Sequence, residues 1–435
     1  MADAKLSTQP YKGTRDFYPE DMRIQKWIFD QMRSVVESYA YEPYDGPMLE
    51  PFELYAAKFG EELVNQQLYW LVDRGERKLA VRPEMTPTLA RMVAGKIQEL
   101  PRPIRWYSTP NLWRYERPQR GRLREHWQLN VDVLGGDPIL ADAEILSVAL
   151  TIMKRFGGDH LVQVKLNNRR LMDAFFIGHL GLSADLALKV TKAIDARAKI
   201  GEEKYLGWMQ ELGVSESQRQ EMESFFRASF EEIEKRFPSD GARELRSLLD
   251  LLAESGVSKN QVVFDSQVLR GLDYYTGTVF EMYDTSPENN RAMFGGGRYD
   301  NLVGLFGKEK LPGVGFGMGD VTLRNFLETH GLLPRLGGGV DVLVALPKRE
   351  WRVHSEKVSA ELRALGLKVM SPLTTEAFGP QLKVAARHGA RYAVLFGDAE
   401  WAEKKLIIKD LVSGTQEVVL DSGISAWFKS KGVRT

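Results

Sequence analysis

Apolar and polar positions change period several times along the chain, and each change marks a new kind of element. Behind Asp16 and Pro19, the residues Ile24, Ile28, Met32, Val35, Val36 and Tyr39 recur on one helical face. That spacing predicts a capped amphipathic helix. Over 68–82, two short apolar runs flank Asp73-Arg74-Gly75-Glu76-Arg77, a hairpin pattern. Strand-like runs follow at 106–107, 130–134, 162–166, 262–264 and 279–283. Short strands joined largely by turns predict an antiparallel sheet rather than regular strand–helix repetition.

Residues 182–236 contain few Gly or Pro, are rich in Ala, Glu, Lys and Leu, and read as several helices. Lying between strand-bearing segments, this block reads as an insertion in the sheet domain. Gly331-Leu332-Leu333-Pro334-Arg335-Leu336-Gly337-Gly338-Gly339 reads as a linker. Beyond it, strands at 340–346, 367–370 and 392–396 alternate with helices at 350–365 and 381–388, and a hairpin runs through 405–409 and 417–420. That alternation predicts a small α/β domain. The expected fold is α+β, with a sheet domain in two parts (1–167 and 261–330), a helical insertion over 168–260 and an α/β domain over 338–435.

Composition narrows the chemistry. A chain of 435 residues can hold two or three cores. Lys+Arg and Asp+Glu each number 59, so any nucleic-acid contact must come from local patches. Cysteine is absent, which excludes disulfides, thiolate metal sites and cysteine nucleophiles. Met1-Ala2-Asp3-Ala4-Lys5 opens no apolar signal region, and no long apolar run follows. A cytoplasmic protein with no membrane partner is expected. The six histidines are scattered, and there is no Walker lysine motif and no His-Glu-x-x-His, so no metal is assigned to protein side chains.

The densest chemical signal is Trp113-Arg114-Tyr115-Glu116-Arg117-Pro118-Gln119-Arg120-Gly121-Arg122-Leu123-Arg124. Pro118 and Gly121 disfavour one continuous helix, so a strand, an exposed loop and a returning strand over 128–134 are expected. The loop is either a solvated basic surface or a nucleotide site in which arginines take phosphates while Trp113, His126 and Trp127 flank a base. In Arg82-Pro83-Glu84-Met85-Thr86-Pro87-Thr88, the carboxylate and hydroxyl can hold an ammonium, or Thr86 or Glu84 can cap a helix. Arg270-Gly271-Leu272-Asp273-Tyr274-Tyr275 places polar chemistry between apolar strands, where Arg270 can instead pair structurally with Asp273. The glycines of Phe294-Gly295-Gly296-Gly297-Arg298-Tyr299-Asp300 let the backbone approach a ligand or a strand. Gly313-Val314-Gly315-Phe316-Gly317-Met318-Gly319 leads into a helix and lacks a Rossmann context.

Together these pieces resemble the histidyl-tRNA synthetases, a class II aminoacyl-tRNA synthetase family. Pro47-Met48-Leu49-Glu50 is similar to the family's motif 1 at the dimer interface, 114–132 to motif 2, and 313–323 to motif 3. Arg270 to Tyr275 resembles the histidine signature, and Ala390-Arg391-Tyr392-Ala393-Val394 with Lys409-Asp410-Leu411 the anticodon-binding domain. The resemblance implies a homodimer that joins L-histidine to tRNA(His) with ATP and Mg²⁺. It implies Arg114 and Arg270 as catalytic groups at the α-phosphate and substrate carboxylate. Arg122 would hold the distal phosphates and His126 would lie beside adenine. Glu84 and Thr86 would hold the α-amino group, and Gln128, Asp132, Tyr274 and Tyr275 would complete the histidine pocket. Arg117 and Gln119 would meet the tRNA acceptor end.

The chain departs from the family twice. Asp132 stands where Glu is usual in the imidazole pocket, and Thr322 stands where motif 3 carries an ATP-clamping arginine, with Arg324 two residues on. Two readings compete with the ligase. One is a non-catalytic, histidine-binding regulatory subunit of ATP phosphoribosyltransferase, which would lack the C-terminal domain and much of the signature. The other is a generic RNA-binding scaffold, which leaves the carboxylate and tyrosine sites unexplained.

Overall fold

A computed structural model describes residues 6–56, 66–269, 274–289 and 291–432, which divide into two compact units, Met1–Leu333 and Pro334–Thr435. The strands of the first unit are β1 (Glu42–Pro43), β2 (Leu49–Pro51), β3 (Trp70–Val72), β4 (Lys78–Val81), β5 (Ile104–Ser108), β6 (Asn111–Trp113), β7 (Glu125–Leu134), β8 (Val162–Asn168), β9 (Val262–Phe264), β10 (Thr278–Asp284), β11 (Ala292–Arg298) and β12 (Gly313–Gly319). The large sheet runs β1-β5-β7-β12-β11-β10-β8-β9, with β6 also paired to β7. Its interior pairings are antiparallel, as the short-strand pattern predicts, and only the edge pairs β1–β5 and β8–β9 are parallel. The hairpin over 68–82 forms as β3 and β4, and joins β2 in a separate three-stranded sheet.

Alternation along β7 decides which face is core. Leu129, Val131 and Val133 are buried among Ile145, Leu146, Ala149 and Ile152 of the Pro138–Arg155 helix. That helix starts cleanly because Asp137 accepts from the amides of Ile139 and Leu140 and Pro138 sits in the first turn. Ile28, Met32, Val35 and Val36 of the Pro19–Ser38 helix enter the same core, as their spacing requires. Asp16 does not cap this helix. Tyr18 occupies the cap position without a side-chain hydrogen bond, and Pro19, fixed at a helical φ, makes the start.

The glycine-rich stretch 313–319 is not merely a lead into a helix. It is β12, at the centre of the sheet, followed by the Asp320–Thr329 helix. Glycine disfavours strands in isolation, so the pattern of apolar positions underweights it. Between β8 and β9 the chain forms helices Ala184–Ile200, Glu202–Glu211, Glu216–Arg227, Phe230–Arg236 and Asp240–Glu254. None of the helices among the described residues is long and apolar enough to cross a membrane.

The second unit is a mixed α/β domain, as its alternating pattern predicts. Its strands β13 (Val342–Val344), β14 (Val369–Met370), β15 (Tyr392–Leu395), β16 (Lys405–Asp410) and β17 (Gln416–Leu420) are ordered β14-β13-β15-β16-β17. The first three pair in parallel and the rest antiparallel. Val358 and Leu362 of one helix and Ala385 of another close its two core layers.

One buried ion pair ties the sheet to the helix behind it. Arg298, at the end of β11, donates to Asp142 Oδ1 at 2.5 Å and to the Pro138 carbonyl at 2.7 Å, and reaches Asp300 at 3.2 Å. Arg298 and Asp142 are both almost fully buried. Arg298→Ala should therefore lower the unfolding free energy in urea by roughly 3–5 kcal/mol, because it leaves a buried carboxylate without its cation. A loss below about 1 kcal/mol would show that Asp142 simply takes up a proton.

Candidate active site

The polar face of the sheet is a cradle made by two strands in register. Gly315 pairs with Asp132 and Gly317 with Asn130, so the glycines of β12 share a face with Gln128, Asn130 and Asp132 of β7. A Cβ on Gly315 would stand 2.2 Å from Asp132 Oδ1, and one on Gly317 would stand 2.2 Å from Gln128 Nε2. Side chains of β7 thus lean across β12, which only glycine permits. Gln128 Nε2 donates to Asn130 Oδ1 at 2.7 Å.

At the closed end of the cradle, the Tyr299 hydroxyl donates to Asp132 Oδ1 at 2.5 Å. The Tyr274 hydroxyl donates to Glu84 Oε2 at 3.4 Å, and its ring meets Tyr299 edge-on with centroids 6.0 Å apart. Tyr275 packs against Tyr274, and its ring lies where a Cβ on Gly297 would be 2.8 Å away. Burial pushes the Asp132 carboxyl up to about 7, with the Tyr299 hydrogen bond opposing and nearby Glu84 adding to the rise. Burial and the Asp132 charge hold Tyr299 far above the usual phenol range, so it remains a donor. Two acids and two phenols converge here, a set of donors and acceptors that suits a small cation or a hydrogen-bonding ring.

Glu84 and Thr86 lie where β4 passes into the Thr86–Gly95 helix. Met85 holds the cap position and no side chain caps the helix, so the capping alternative for Glu84 and Thr86 does not occur. The basic loop forms as expected, with β6 and β7 as its arms. Arg114 donates from Nε to the Pro83 carbonyl at 2.9 Å, next to Glu84, and its guanidinium makes no ion pair among the described residues. His126, on the same face as Gln128, is held down to about 3 by burial and by the cations Arg114 and Arg15, so the ring is neutral. Arg122 is exposed and reaches Glu116 at 3.3 Å, and Arg117 and Gln119 are exposed beside it. Thr322 is spent locally: its hydroxyl donates to the Met293 and Gly319 carbonyls at 2.7 and 3.2 Å. Arg324 faces away and pairs with Asp21 and Glu328. Arg270, and its expected partner Asp273, lie outside the described residues.

The chain is similar to known proteins over nearly its whole length. The profile described as Histidyl-tRNA synthetase matches residues 13–321, and that described as Anticodon binding domain matches 341–431. The chain belongs to the histidyl-tRNA synthetase family. It is 44% identical to a histidine–tRNA ligase of Leptospira biflexa over 96% of both chains, and 38% identical to one of Thermoplasma volcanium over 95% and 96%. Its fold matches the crystal structure of histidyl-tRNA synthetase from Nostoc sp. PCC 7120 with a TM-score of 0.79 at 27% identity, covering 98% of this chain and 100% of that one.

Within this synthetase fold, the pocket gains a member that sequence reasoning did not assign. Tyr299 follows the glycine triplet of β11, and no local signal shows that it bonds Asp132, 167 residues away. The raised carboxyl gives a test. A group pushed up by folding favours the fold below its ordinary range of about 4 and loses that contribution as pH rises through 7. From pH 5 to pH 8 the ligand-free first unit should thus lose stability relative to its Asp132→Asn variant, a comparison in which the opposite contribution of buried, neutral His126 cancels. At pH 8 the variant should be the more stable by on the order of 4 kcal/mol. Parallel pH profiles for the two proteins would mean that Asp132 stays ionised throughout.

Proposed function

We propose that the chain activates L-histidine with ATP and transfers it to tRNA(His), releasing diphosphate and then AMP. The observation that carries this reading is the placement of Arg114 beside Glu84, with the acid-and-phenol pocket of Asp132, Tyr299 and Tyr274 adjoining. In this reading Glu84 and Thr86 take the α-ammonium. Asp132 and Tyr299 take the imidazole nitrogens, with Gln128, Tyr274 and Tyr275 around them. A site that pairs both ring nitrogens rejects apolar analogues by roughly 10⁴-fold, since they leave its buried groups unsatisfied.

The histidine carboxylate oxygen attacks the α-phosphorus, the P–O bond to diphosphate breaks, and histidyl-adenylate forms. Negative charge gathers at the α-phosphate, where Arg114 and Arg270 stabilise it. Arg122 holds the distal phosphates and His126 packs beside adenine as an uncharged ring. A terminal ribose hydroxyl of the tRNA then attacks the mixed anhydride and AMP leaves. Arg117 and Gln119, exposed on the loop, suit the acceptor end, and the second unit suits the anticodon. Mg²⁺ enters with the triphosphate. Among the described residues no cluster of three His, Asp or Glu side chains can cage a metal. A cytoplasmic setting supplies all three substrates and fits this reading. The regulatory-subunit alternative is less supported, because ligase relatives match nearly the whole chain and the anticodon-binding domain is present.

Histidine-dependent ATP–diphosphate exchange tests the reaction. The wild-type chain should exchange, and no exchange despite histidine binding would defeat the reading. Arg270→Ala should cut exchange by about a hundredfold or more while changing histidine affinity little, since its charge acts in the transition state. Equal losses in both would assign it to ground-state binding.

A homodimer is supported by exposed apolar side chains on the three-stranded sheet. Trp70 and Val72 on one face, Leu49 and Leu71 on the other, and Met48 beside them are 39–57% exposed. In sedimentation, Trp70→Glu should shift the wild-type dimer to monomer. An unchanged dimer would move the interface elsewhere.

A further inference from the structure

Arg15 stands at the nucleotide end of the site without a role in the reaction as derived above. The Gly13 carbonyl accepts from the amides of Arg124 and Glu125 at 2.9 and 3.3 Å, seating the 13–15 segment on the start of β7. From there Arg15 Nη2 donates to Asp320 Oδ2 at 2.7 Å. Asp320 is fully buried, and also accepts from Gln25 Nε2 at 2.8 Å and from the Trp127 amide at 3.0 Å. One carboxylate therefore locks Arg15 beside the peptide that follows His126. Phe17 lies under the guanidinium, 4.9 Å from its centroid.

That anchor uses one nitrogen. Arg15 Nε is buried without a partner, but the side chain remains 22% exposed, and its single bond to Asp320 leaves guanidinium donors for an incoming acceptor. The helix beginning at Asp320 supplies no cation here. Thr322 bonds back to carbonyls, its methyl abuts Gly121 of the basic loop, and Arg324 is taken by Asp21 and Glu328. The Arg15 charge is nonetheless felt at His126 together with that of Arg114.

We propose that Arg15 contacts bound ATP beside His126, supplying from the N-terminal segment the fixed cation that the Asp320–Thr329 helix lacks. The inference rests on the ligase reading for ATP as the ligand. A pre-anchored guanidinium loses little freedom on binding, so its contact is stronger than that of a mobile surface arginine.

The test compares wild type, Arg15→Ala and Arg15→Gln, the last keeping a donor for Asp320 without the charge. In exchange assays both variants should raise the KM for ATP about tenfold or more and leave the KM for histidine within twofold. Calorimetric titration with ATP should show the same loss of affinity. A folded variant with an unchanged KM for ATP overturns the proposal. So do equal rises in both KM values, or failure of both variants to fold, since either makes Arg15 a structural group. A wild type that binds ATP but does not exchange defeats the ligase reading alone, and the titrations still decide Arg15.

Discussion

The pairing of β7 with β12 is the constraint on which the site depends. Asp132 and Gln128 need room to lean over the neighbouring strand, and the side chains at Gly315 and Gly317 would occupy that room. The strand could not yield by moving outward, because Val314, Phe316 and Met318 anchor its other face in the core. One face of β12 therefore holds the sheet to its helices while the other is bare backbone. The missing Cβ atoms are the room into which Asp132 and Gln128 lean.

Charge is then separated along this cradle in a chain whose totals cancel. Glu84 and Asp132 are buried, while Arg114 lies next to Glu84 and Arg122 is exposed on the basic loop. The same physics drives one titratable group of each sign toward its neutral form. Burial lifts Asp132 toward neutrality, while burial and adjacent guanidiniums keep His126 uncharged. An arginine cannot respond in this way, since it stays protonated at any working pH. The basic end is thus a fixed field, and the acidic end is the tunable one.

Asp320 shows how one buried carboxylate can organise several segments. It joins the first helix through Gln25, the N-terminal segment through Arg15 and β7 through the Trp127 amide. Thr322, two residues on, uses its hydroxyl on backbone carbonyls and so closes the first turn against β11. The position is structural here, since its hydroxyl is taken by the Met293 and Gly319 carbonyls.

Much of this was readable in the chain itself. The 3.6-residue spacing of Ile28, Met32 and Val35 buries a helix face whatever the surroundings, and the alternation in β7 does the same for a strand, because a periodic apolar stripe has one way to leave water. The charged loop was legible because Pro118 and Gly121 break any helix through it. Local pattern failed where a residue's meaning comes from its neighbours in space. Glycines at 313–319 look like a lead into a helix until β7 and β11 flank them, and Tyr299 is an ordinary aromatic until it meets Asp132. Asp16 looked like a cap, yet Pro19 alone started the helix. Periodicity acts through the solvent and is written in sequence, whereas pocket shape, proton affinity and the partner of a lone charge depend on contacts between distant segments, which only the tertiary structure decided.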